Sequence, residues 1–146
     1  VPLLATVRHA SGTARASFTL ATLLETGVPL RQAIPFAARA SGDGALRARV
    51  MEAGARIESG QTIARALGET RAFTPLGIRL VQAGEESGKL SAMLRHAAKL
   101  EQERSDRLVR TVVRMLEPAL ILVFAGLVAV IAAALLQAVY AVRPAP

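Results

Sequence analysis

The chain has 146 residues, with 18 Lys or Arg against 11 Asp or Glu, and neither Cys nor Trp. That length suits one domain plus little else, and the lack of cysteine excludes a disulfide framework and any thiolate metal centre. A formal charge of +7 favours anionic partners, but one Tyr and four Phe make no stacking platform for bases, so membrane lipid is expected and nucleic acid is not. The sequence opens on Val1 without a signal peptide and is expected to be a piece of a longer protein.

Residues 1–15 are expected to form an irregular N-terminal segment, with His9 solvated in it. Up to Thr26, Ala16, Leu20, Leu23 and Leu24 recur at helical spacing, and Gly27 stops that first helix. Pro29 suits the opening turn of a second helix lined by Leu30, Ala33, Ile34 and Ala37, and Pro35 predicts a kink within it. After the Ser41-Gly42-Asp43-Gly44 turn with its capping side chain, Leu46, Val50, Ala53 and Ile57 define the clearest amphipathic helix, opposite Arg49, Glu52 and Arg56. A short helical turn around Ile63, Ala66 and Leu67 ends at Gly68. Thr74 and Pro75 are a start signal, as cap and first helical residue, for a helix facing inward through Leu76, Leu80 and Val81 up to Gly84.

From Leu90 a last helix runs long, inward at Met93, Leu94, Ala97 and Leu100, then polar on every side from Glu101 to Arg107, as a water-exposed stalk would be. No stretch alternates with period two. The fold class is therefore all-α: a compact cytoplasmic bundle of about six helices over residues 16–118, its last helix continuing into a C-terminal transmembrane helix.

The stretch 119–142 carries no charge, and its 24 residues would rise about 36 Å as a helix against a hydrocarbon core of about 30 Å. Arg114, Glu117 and Pro118 mark its membrane junction, with Pro118 expected to kink the helix there. Arg104, Arg107, Arg110 and Arg114 crowd the near side of the span and only Arg143 lies beyond it. The positive-inside bias therefore predicts a cytoplasmic domain and a short non-cytoplasmic tail at residues 143–146.

Chemistry has little support. Gly84 to Ser91 ends in Gly-Lys like a phosphate loop, yet the motif needs glycine where Ala83 stands and Ser or Thr where Leu90 stands. The segment is expected to be a tight helix-helix turn, with Gly84 and Gly88 supplying positive φ and Ser87 or an adjacent acid capping the next helix. Glu85 and Glu86 are adjacent carboxylates on that turn, usable at most for a hard cation at a subunit contact, and His96 sits on an outer face. Neither an enzyme nor a cofactor nor a protein-held metal is expected. A membrane-anchored basic helical regulatory or nucleic-acid-binding module is the alternative.

Three segments in order, LLETGVPLRQAI (23–34), VQAGEESGKLSAML (81–94) and MLEPALIL (115–122), make the chain resemble the type II secretion system F domain family of inner-membrane platform proteins. The resemblance implies a six-helix cytoplasmic domain present twice in full-length members, of which this chain matches the second copy and the last membrane span. It implies a non-enzymatic hub of a type II secretion or type IV pilus machine, coupling a cytoplasmic assembly ATPase to pseudopilin or pilin and other inner-membrane assembly proteins, with homo-oligomers expected. Among the matched positions Gly27, Pro29, Gly84 and Gly88 are explained by turns, and Glu85 and Glu86, with neighbours Ser87 and Lys89, are the partner-interaction candidates. The chain departs from the family pattern at Ala16, where Phe is usual, at Pro35, and around Leu136-Gln137, where the family has a proline.

Overall fold

A computed structural model describes residues 2–142 and places six helices among them: α1 (Pro2–Glu25), α2 (Leu30–Ala40), α3 (Gly44–Glu58), α4 (Ile63–Glu69), α5 (Pro75–Ser87) and α6 (Leu90–Ala141). No strand occurs among the described residues, and the expected tail at 143–146 lies outside them. The chain divides into two units, Val1–Leu108 and Val109–Pro146.

The first unit is a helical bundle in which α1 packs on α2, α2 on α3, α3 on α4 and α4 on α5. Its core is built on alanine, with Ala16, Ala33, Ala37, Ala53 and Ala66 all wholly buried, and only Phe73, Leu94, Val50 and Val81 supplying bulk at its most enclosed points. Small side chains let helix backbones approach closely, so the many short helices still bury a continuous apolar interior.

The N-terminal residues are a correction. Apart from Val1, which lies outside the described residues, the segment expected to be irregular is the first half of α1. Pro2 stands where a helix needs no N–H, and nothing from Leu3 to Glu25 ends it. Gly12, in mid-helix, faces Leu46 and the Ser41 carbonyl, where a Cβ would lie 3.2 Å from that oxygen. The inward face continues through Ala10, Thr13, Ala14 and Ser17, whose small and half-polar side chains hide the helical period.

Caps expected from the sequence are present. The Asp43 carboxylate accepts from Ala45 N at 2.9 Å ahead of α3, and Thr74 accepts from Gly77 N at 3.1 Å ahead of α5, with Pro75 as its first residue. Gly27 (φ 85°) closes α1, whereas Pro29 is the cap of α2 rather than part of its first turn. Pro35 lies inside α2, which runs on to Ala40. Helix α4 passes through Gly68 to Glu69, and the left-handed residue after it is Arg71 (φ 53°).

The region around Gly84 and Gly88 also departs from expectation. Helix α5 continues to Ser87, so Gly84, Glu85 and Glu86 are helical, and only Gly88 (φ 70°) takes the left-handed conformation. Gly84 is needed for close approach instead: a Cβ there would lie 2.9 Å from Leu90 Cα and 3.0 Å from Met93 Cβ. The Ser87 hydroxyl donates back to the Ala83 carbonyl at 2.7 Å and does not serve α6.

The stretch read as polar on every side is not so. Glu101 is wholly buried and Ser105 nearly so, because α6 still faces the core there.

The second unit, Val109–Pro146, consists over its described residues of the remainder of α6, with Pro118 inside the helix and no break at it. Its side chains are exposed throughout the apolar stretch, and this is the one helix among the described residues long and apolar enough to cross a membrane. A helix satisfies its own backbone hydrogen bonds, which is the condition for a single span in lipid.

Candidate functional site: the groove between α4 and α5

The acidic pair singled out from sequence lies beside a groove between α4 and α5, a cavity of about 630 Å³. Thr62 opens α4 by accepting from Arg65 N at 3.3 Å, and Ile78 on α5 gives the groove an apolar wall. The two glutamates do different work. Glu85 Oε1 accepts from Ile63 N at 2.6 Å and Oε2 from Ala64 N at 2.8 Å, so one carboxylate satisfies two of the free amides at the start of α4. The expectation that Glu85 has no structural task is therefore corrected: it ties α5 to α4.

Glu86 is exposed, and its carboxylate accepts only from Gln82 Nε2 at 2.9 Å, one turn back on the same helix. Across the groove Glu69 is engaged twice, by Arg65 Nε at 2.8 Å and Arg56 at 2.7 Å. The hydrogen bond from Arg65 holds the Glu69 carboxyl below its ordinary range. Glu86 is thus the acid on this rim most available to a partner. Ser87 and Lys89 are exposed just beyond it, and the Lys89 amide donates to the Gly84 carbonyl at 2.9 Å to close α5. The junction residues Arg114, Glu117 and Pro118 belong to the second unit, where all three are exposed on α6.

Sequence reading missed a second polar arrangement. Thr74, besides capping α5, donates its hydroxyl to Glu101 Oε1 and accepts nothing further from α6. The Thr74 amide in turn donates to Thr13 Oγ1 at 3.2 Å, so α1, α5 and α6 meet through one threonine. Arg104 Nη1 approaches Glu101 Oε1 at 4.0 Å, while Glu101 Oε2 is buried without a partner. The start signal at Thr74 was visible in the sequence, but no local pattern marks the acid 27 residues away that shares it.

Residues 16–137 match the family model described as Type II secretion system (T2SS), protein F. The chain is 31% identical over 137 residues to a type II secretion system protein F of Aeromonas hydrophila, covering 94% of this chain and 35% of that protein. It is 33% identical over 128 residues to the type IV pilus assembly protein TapC of Aeromonas hydrophila, covering 88% and 31%. To the type IV pilus assembly protein PilC of Myxococcus xanthus it is 27% identical over 128 residues, again covering 88% and 31%. The chain belongs to the type II secretion system protein F family. It spans about a third of the length of these relatives.

Proposed function

We propose that the chain is the membrane-anchored domain of a non-enzymatic platform protein in a type II secretion or type IV pilus machine. In this reading it transmits the work of a cytoplasmic assembly ATPase to pseudopilin or pilin through protein contacts. The observation that carries this is family membership over residues 16–137, which takes in both the bundle and the apolar part of α6. The helix that enters the core through Leu94 and Ala97 is the same helix that carries the membrane stretch.

The bundle is assigned to the cytoplasm and the C-terminus to the other side of the inner membrane, because Arg104, Arg107, Arg110 and Arg114 flank the apolar stretch on one side. A cysteine replacing Ala145 should react with a membrane-impermeant thiol reagent only from outside; labelling only from the cytoplasmic side overturns the orientation.

Glu86 is assigned to partner docking. Glu86→Arg should cut both pull-down of the assembly ATPase and secretion or piliation, while leaving the unfolding temperature unchanged. Retained pull-down and retained secretion remove Glu86 from the docking surface. Glu85 is left intact in this experiment, because its loss would loosen α4.

A further inference from the structure

A second groove, of about 700 Å³, runs between α1 and α6 on the bundle, a size at which protein clefts take up ligands or the side of a helix. It exists because its floor is alanine: Ala14, Ala40 and Ala98 leave open the space that larger residues would fill. Phe18 stands over this floor and is 54% exposed, one of few aromatic side chains in the chain and an unusual one to leave in water.

Phe18 is held in place by its neighbours. The Arg95 guanidinium lies 5.3 Å from the ring centroid and is fixed by Glu25, to which Nε and Nη2 donate at 2.8 and 2.6 Å. That pair neutralises Arg95. Two further cations on the groove are not neutralised: Arg15 donates to the Ser41 carbonyl at 3.0 Å and meets no carboxylate among the described residues, and Lys99 is exposed without an acidic partner among them. The groove therefore combines an apolar floor, a fixed aromatic wall and an uncompensated charge of +2.

We propose that this groove docks an amphipathic helix of a partner protein, with acidic residues flanking its apolar stripe. Two helices with a small-residue floor between them receive a third helix by laying its apolar face into the gap. The charge decides the sign of that helix. A second copy of this chain is the poorer occupant, because seventeen basic against eleven acidic residues before Ala119 leave each copy at +6. Nucleic acid is poorer too, since one aromatic ring and two free cations make neither a stacking series nor a phosphate track. The surface is separate from the α4–α5 groove and independent of the role given to Glu86.

The test uses the whole chain in detergent micelles and a fluorescein-labelled synthetic peptide of about four helical turns, with leucines at i, i+4 and i+7 flanked by glutamates. Saturable binding is expected, weakened about tenfold or more by Lys99→Glu and by Phe18→Ala. The same peptide with every glutamate replaced by lysine should fail against the unsubstituted chain and bind the Lys99→Glu chain. Lys99 is an exposed side chain outside the core, so its variant stays folded even if Phe18→Ala does not. The proposal is overturned if the acidic peptide does not saturate, if both variants bind it unchanged, or if the lysine peptide binds equally well. It is also overturned if Arg79→Glu, on α5 and outside the groove, weakens binding as much as Lys99→Glu.

Discussion

Glu85 illustrates how one side chain can be given two readings. As one of two adjacent acids near a glycine it reads as a free surface charge; in the fold both of its oxygens are taken by amides of α4, 22 and 21 residues away. Charged acceptors at a helix start are worth about 1–2 kcal/mol, through the hydrogen bonds and through the helix dipole. Glu85→Ala should therefore speed hydrogen exchange at the Ile63 and Ala64 amides by about tenfold, since 1.4 kcal/mol is a factor of ten, and leave the Val81 amide in the core unchanged. Unaltered exchange at Ile63 and Ala64 would show that α4 is held by its packing and Thr62 alone. The same residue scale explains why Glu101 was read as solvated: a glutamate inside a run of charges gives no local sign of the threonine that receives it.

At the scale of an element, the turn between α5 and α6 is set by two glycines for different reasons. Gly88 supplies the left-handed backbone that ends α5, whereas Gly84 has ordinary helical backbone and is required only because Leu90 and Met93 come so close. A methyl group at Gly84 meets backbone, which cannot swing aside, so Gly84→Ala should lower stability by about 1–3 kcal/mol. Gly44, the first residue of α3, faces open space, and Gly44→Ala should be neutral or raise stability by up to about 1 kcal/mol. Urea unfolding followed by circular dichroism distinguishes the two; equal effects from both substitutions would mean that the α5–α6 contact is looser than its geometry. Glycine at both positions was evident beforehand, but which one needed its backbone and which its missing side chain depended on where α6 returns.

For the whole molecule, charge is the property with the widest reach. Three surface carboxyls are held below their ordinary range: Glu25 by the hydrogen bond from Arg95, Asp43 by the Ala45 amide with Arg8 adding to it, and Glu69 by Arg65. A carboxyl whose folded pKa is depressed binds protons more tightly when unfolded, so its contribution is complete above the unfolded value and is lost as pH falls through the folded one. Unfolding midpoints should thus stay level, as far as these groups are concerned, down to about pH 4.5 and decline below about pH 4. The triple variant Glu25→Gln, Asp43→Asn, Glu69→Gln should flatten that decline; an equally steep acid limb would assign it to other groups.

Much of this organisation was readable without coordinates, because it depends on local chemistry. Helix caps at Asp43 and Thr74, the stop at Gly27, the amphipathic face of α3 and the uncharged stretch 119–142 each follow from residues within a turn or two of one another. The helical run from Pro2 was not readable, since its inward face is alanine, threonine, serine and glycine, which carry little hydropathy contrast. The tie of Glu85 to α4, the burial of Glu101 under Thr74 and the open floor beneath Phe18 needed the folded chain. Each joins residues far apart in sequence. Their meeting is set by how alanine-lined helices settle against one another, and that packing leaves no periodic trace in any single segment.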